Sequence, residues 1–175
     1  GIVFNPNIPS EEVFVSPKKG SAEGIVYSSK PFSYRGQLIE HFCVKFENGR
    51  AVSVEAGDER QTEILRQMIA MDEGASFLGE VALVPYTSPI RETGILFFNT
   101  LFDENAACHI AFGEAYPCLQ GGQEMSKDEL KARGLNDSIT HVDFMVGTPD
   151  LHITGTTHDG REIPVFVNGN FAEGI

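Results

Sequence analysis

The chain's pattern predicts an α+β fold, a single domain of mostly antiparallel, curved sheets with a few helices. Three observations predict it. Two polar turns, Glu47-Asn48-Gly49-Arg50 and His158-Asp159-Gly160, each separate a pair of apolar runs, as β-hairpins do. Asp58 to Asp72 switches to helical spacing. The strand-like runs are grouped and do not alternate regularly with helices, which argues against a parallel sheet.

In chain order, Pro6, Pro9 and Pro17 keep the start extended and turning, with a short strand at Val13–Val15. Ile25–Tyr27 is a second short strand. Gln37–Phe46 and Arg50–Glu55 alternate apolar and polar residues, and Asn48-Gly49 supplies the positive φ angles of a tight hairpin turn. Asp58 is placed to cap a helix whose stripe is Ile64, Leu65, Met68, Ile69 and Met71, and Gly74 is expected to end it. Phe77–Val84 reads as a strand that stops at Pro85. Residues 85–100 are mixed, with Ile95–Phe98 strongly apolar. Asp103 is expected to open a second helix, with Ala106, Ala107, Ile110 and Ala111 on its buried surface and an end near Pro117. Ser126 followed by Glu129 suggests a capping box for a short helix to Ala132. Ile139–Val146, Leu151–Thr157 and Ile163–Val167 return to strand, with a further turn at Asn168-Gly169.

A chain of 175 residues with 41% hydrophobic content can bury one sizeable core. Its net charge of −12 argues against a nucleic acid or an anionic membrane as partner. No apolar run approaches membrane-spanning length and no signal peptide opens the chain, so a cytoplasmic location is expected. The start at Gly1, running into Ile-Val-Phe, reads as a cut inside a longer protein. Cys43, Cys108 and Cys118 lack CxxC spacing and are expected to be buried structural thiols. Cys108 beside His109 suggests a nucleophile pair, but on a helix neighbours diverge by about 100°.

Glu12, Glu80, Glu104, His109, His141 and Asp143 are hard and borderline metal ligands from four separate stretches. On a strand, His141 and Asp143 point to one side while Val142 packs behind; the plainer alternative is a His–Asp pair on a sheet surface. Glu80, inside an apolar run, is either solvent-facing or buried with a cation. On the expected helix Glu104 and His109 lie about 140° apart, whereas His109 and Tyr116, two turns apart, share a face. A Tyr116 hydroxyl there could donate to an oxyanion; core packing is the plainer role, as a helix-dipole carboxylate is for Glu104. Of Glu11 and Glu12, at most one enters a given site, and pattern alone does not choose between them. His41, His152 and His158 read as structural or exposed.

Four ordered blocks carry a resemblance: Asn7-Ile8-Pro9-Ser10-Glu11-Glu12-Val13-Phe14, Gly79-Glu80-Val81, Glu104 through Tyr116, and Thr140-His141-Val142-Asp143-Phe144-Met145. Together they resemble the thermophilic metallo-aminopeptidase family of aminopeptidases T, S and PepS, across essentially the whole chain. The resemblance implies that Glu12, Glu80, Glu104, His109, His141 and Asp143 ligate two divalent metal ions, zinc or cobalt, with manganese and magnesium as alternatives. It implies Tyr116 as a catalytic residue and selects Glu12 over Glu11 as ligand. Glu11 is then a candidate general base in the hydrolysis of the N-terminal peptide bond by a metal-bridged water. Family members are about twice as long, so residues 1–175 correspond to a C-terminal catalytic domain, with an N-terminal α/β domain absent. The expected substrate is a peptide with a free N-terminus, and the expected assembly a homodimer. Two rivals remain at this point. One is a non-catalytic assembly fragment that docks through Phe4, Phe32 and Phe97; the other is a mononuclear iron ring-cleaving dioxygenase of the same fold.

Overall fold

The computed structural model describes residues 10–175. The predicted strand at Val13–Val15 is β1, and its exposed Val13 and Val15 alternate with an inward Phe14. It edges a four-stranded antiparallel sheet of order β1-β7-β8-β9, where β7 is Leu78–Leu83, β8 His109–Gly113 and β9 His141–Met145. A second sheet joins β2 (Gly24–Tyr27), β5 (Cys43–Glu47) and β6 (Arg50–Glu55). Two smaller antiparallel units are the hairpin of β3 (Phe32–Tyr34) with β4 (Gln37–Ile39), and β10 (Ile153–Thr156) with β11 (Glu162–Val167) and β12 (Asn170–Phe171). The antiparallel α+β architecture is as predicted.

Helix α1 spans Glu59–Ile69, and the Asp58 side chain accepts from the Gln61 N–H as its N-cap. It ends at Ala70, earlier than Gly74, which opens a 3₁₀ turn at Gly74–Ser76. Helices α2 (Pro89–Glu92) and α3 (Thr100–Asp103) are single turns. The predicted capping box is present at α4 (Lys127–Ala132). No helix among the described residues is long and apolar enough to cross a membrane.

The core lies between the two larger sheets. Phe32, Phe42, Phe144, Phe112 and Phe46 form a continuous aromatic run with neighbouring ring centroids 5.2–5.9 Å apart. Leu65 and Met68 of α1 close it from one side. Phe32 is therefore internal and Phe97 packs on Phe102, so neither supplies the exposed docking face that an assembly fragment needs. Phe4 lies outside the described residues.

Further sequence expectations fail for physical reasons. The run Gln37–Phe46 breaks at His41, whose φ of 52° turns the chain between β4 and β5, so His41 is exposed in a turn and not on a strand. The helix expected from Asp103 to Pro117 is absent: α3 and a 3₁₀ turn at Glu104–Ala106 give way to β8. Helix propensity at Ala106, Ala107 and Ala111 is overridden because β8 is paired on both edges, by β7 and β9. The helical placements of Glu104, His109 and Tyr116 fall with that helix. The thiols also differ from expectation, since only Cys108 is buried, Cys118 is exposed, and all three are free.

Candidate metal centre

Cross-strand register builds the site. In β7, β8 and β9, Glu80 faces Ala111, which faces Asp143; one row on, His141 faces Gly113. Alternation then puts Glu80, His109, Ala111, His141 and Asp143 on one side of the sheet, while Phe112 and Phe144 point into the core. Ala111 and Gly113 carry almost no side chain, which leaves room between the ligating groups. Glu12 immediately precedes β1, and its carboxylate lies 3.1 Å from His109 Nε2.

Both imidazoles are oriented from behind. His109 Nδ1 lies 3.0 Å from the Ala107 carbonyl and His141 Nδ1 lies 2.8 Å from the Glu114 carbonyl. A carbonyl only accepts, so each Nδ1 carries the hydrogen and each Nε2 is turned to the carboxylates. His109 Nε2 sits between Glu12 at 3.1 Å and Glu80 at 3.4 Å. His141 Nε2 sits between Asp143 at 3.3 Å and Glu80 at 3.7 Å. His109 Nε2 and Glu12 Oε2 are buried and lack an aligned hydrogen-bond partner among the described residues. A lone pair facing carboxylates in a buried setting needs a cation between them.

Three groups of ligand atoms each fall within 4.8 Å: Glu12, Glu80 and His109; Glu80, His141 and Asp143; Glu104, His109 and Asp143. Their shared members make one cluster of four carboxylates and two imidazoles. Glu104 enters from the 3₁₀ turn before β8 and so reaches the site without the helix predicted for it. The mixed oxygen and nitrogen donors fit divalent cations. Without a cation, protons take that place. Burial pushes the His109 imidazole down, but the carboxylates of Glu12, Glu80 and Asp143 raise it well above its ordinary value. Burial likewise opposes the Asp143 carboxylate at His141, and the balance stands at about 9.

Tyr116 reaches the site by a different route from the predicted helical face. Gly113, with φ of 98°, ends β8, and Tyr116 comes to lie edge-on to His141, ring centroids 5.7 Å apart. Burial and the nearby charges of Glu80, Asp143 and Glu104 raise its phenol, which keeps the hydroxyl protonated. The Glu11 N–H donates to Asn105 Oδ1 at 2.7 Å, and its carboxylate joins none of the three groups. Cys108 points away and exchanges hydrogen bonds with the Val84 backbone, so it is no partner to His109. His41, His152 and His158 are exposed. Ala111 and Gly113 were missed in the sequence, although their period-two spacing from His109 carried the signal.

Room for a ligand adjoins the cluster. A cavity of about 360 Å³ runs from His141 and Asp143 to the tip of the β3–β4 hairpin. A larger one, about 590 Å³, is lined by Lys19, Lys127, Lys131 and Asp137 away from the ligating groups.

Comparison with known proteins shows the family. Residues 1–171 match the family described as Thermophilic metalloprotease (M29). Over 98% of its length the chain is 53% identical to aminopeptidase AmpS of Bacillus subtilis (strain 168), covering 42% of that protein. It is 50% identical to aminopeptidase 2 of Geobacillus stearothermophilus over 98% of the chain, covering 41% of that protein. Wild-type AmpT from Thermus thermophilus superposes with a TM-score of 0.86 at 46% identity, over 95% of this chain and 41% of that one. The chain thus spans about two fifths of the length of these relatives. It belongs to the thermophilic metalloprotease family.

Proposed function

We propose that the chain is the metal-bearing, C-terminal domain of an aminopeptidase that removes the N-terminal residue of peptides. The observation that carries this reading is the convergence of six ligating side chains with both imidazole Nε2 atoms turned inward. Relatives named aminopeptidases, 46–53% identical over 98% of the chain, support it. Glu12, Glu104 and His109 would hold one ion and His141 with Asp143 the other, with Glu80 shared, since its two carboxylate oxygens face different imidazoles, Oε1 toward His109 and Oε2 toward His141. Two such ions, zinc or cobalt, supply Lewis acidity to the scissile carbonyl and acidify a water at neutral pH.

The chain's own groups do the rest. The Ala107 and Glu114 carbonyls fix the ring orientations that keep both Nε2 lone pairs facing inward. Tyr116, protonated and beside His141, donates to the oxygen that gains charge. Glu11, the general base that the resemblance offers, precedes β1 where strict alternation of faces does not apply, and is assigned the proton transfer from water to the leaving amine. The homodimer implied by the resemblance belongs to this same reading, and sedimentation would measure it.

Metal analysis of the purified protein tests the site. Close to two divalent ions per chain are expected, with a clear loss in Glu80→Ala and His141→Ala. Unchanged metal content in both variants sinks the convergent centre; one iron per chain favours the ring-cleaving alternative. Leucine-anilide cleavage that needs the metal and falls in Tyr116→Phe and Glu11→Gln, with metal retained, supports the assigned roles.

A further inference from the structure

The β3–β4 hairpin carries a feature that its folding does not require. Among the described residues, three tight turns place two successive residues at positive φ: Arg35-Gly36 (49° and 74°), Asn48-Gly49 (50° and 79°) and Asn168-Gly169 (49° and 73°). Asn and Gly suit such a turn, because a short polar side chain or none tolerates the left-handed region. At Arg35 a long, charged side chain occupies the position that Asn holds in the other two. A residue kept where its backbone is disfavoured points to work done by the side chain.

Arg35 lines the cavity of about 360 Å³ that begins at His141 and Asp143, and among the described residues it is the only lysine or arginine there. Its guanidinium lies 5.3 Å from the Tyr34 ring centroid and 3.6 Å from the Met71 sulfur. Neither neighbour neutralises it, and no ion pair recorded between described residues uses it. The groove therefore joins a carboxylate-rich end, suited to cations and a free amine, to a cationic end with unused hydrogen-bond donors. Asp143 is the carboxylate that lines the opposite end, so within the cavity an anionic group is favoured at Arg35.

We propose that Arg35 is a specificity-determining residue that binds a substrate carboxylate on the side of the peptide that leaves. This rests on the aminopeptidase reading and narrows it to short peptides, or peptides with an acidic residue after the cleaved bond. The amine sits at the metal ligands, the chain runs along the groove, and the carboxylate meets the guanidinium fork. Arginine is suited to that contact through paired, charge-assisted hydrogen bonds.

Calorimetry on the zinc-loaded protein with uncleavable reduced-amide analogues of leucyl-glycine tests it. The analogues are the free acid, its C-terminal amide, and a leucyl-glutamate analogue whose α-carboxyl is amidated. The unsubstituted protein should bind the free acid about tenfold more tightly than its amide. In Arg35→Asn that ratio should fall to within twofold, and Arg35→Lys should restore part of it. Asn suits the turn, so the variant's melting temperature should hold or rise, which separates lost binding from lost folding. Tight binding of the glutamate analogue assigns the contact to an acidic side chain, and its absence assigns it to the C-terminus. An acid-to-amide ratio near one together with weak binding of the glutamate analogue in the unsubstituted protein, or a preference for either carboxylate that Arg35→Asn leaves unchanged, overturns the proposal. Leucine-anilide carries no carboxylate, so failure to cleave it counts against the aminopeptidase reading and not against Arg35.

Discussion

At the scale of single residues, the cluster is organised around what each imidazole cannot do. With Nδ1 committed to a carbonyl, His109 and His141 can offer only Nε2, and carboxylates surround both. Glu12→Gln keeps the shape of the side chain and removes a charge. It should weaken metal binding at least tenfold in a chelator-competition titration, and unaltered affinity would exclude Glu12 as a ligand. A second expectation concerns pH. In the chelated protein His141 titrates at about 9 against an ordinary 6.5, so its stabilising contribution is complete below 6.5 and lost as pH rises toward 9. Urea unfolding of the chelated protein should therefore show stability declining across that window. Metal-loaded protein should not decline there, because metal needs the ring deprotonated and binds better as pH rises. His141 and Asp143 were readable in the sequence because a strand's period of two fixes a shared face whatever lies around it. Glu12 over Glu11 was not readable from pattern, since the choice depends on where the chain bends before β1.

At the scale of elements, β8 explains both why the candidate residues come together and why the geometry expected of them failed. Residues 103–117 contain the small residues of a helix, yet His109-Ile110-Ala111-Phe112-Gly113 also alternates, and only pairing with β7 and β9 decides between them. Local propensity does not contain that information; the partners come from 27 positions upstream (Ala82) and 36 downstream (Met145) of His109. The hairpin at Asn48-Gly49, helix α1 and the capping box at Ser126 were legible because their causes are local. Gly113 is the element's critical point. Its φ is 98°, and a Cβ there would stand 2.0 Å from the Thr140 carbonyl oxygen, one residue before His141. Gly113→Ala should cost about 2–3 kcal/mol in denaturant unfolding and lower metal occupancy with it. Destabilisation with metal occupancy retained would show that the β8–β9 register matters for folding alone.

At the scale of the whole molecule, one aromatic run joins the site-bearing sheet to the hairpin sheet. Phe144 lies between Phe42 and Phe112, 5.2 Å from each, and is almost fully buried beside Asp143 of the cluster. Phe144→Ala should cost about 3–5 kcal/mol, read from denaturant midpoints, and should weaken metal binding through the strand that carries His141 and Asp143. The sheet's other face has a quieter requirement. Between Glu80 and Asp143 stands only the methyl group of Ala111, with no exposed surface. Any branched residue at that position would occupy the space where the cluster converges while leaving all six clustered side chains in the sequence. Descent can thus silence such a centre without touching any of the six clustered side chains, and among relatives an intact set of those six certifies ancestry more safely than it certifies catalysis.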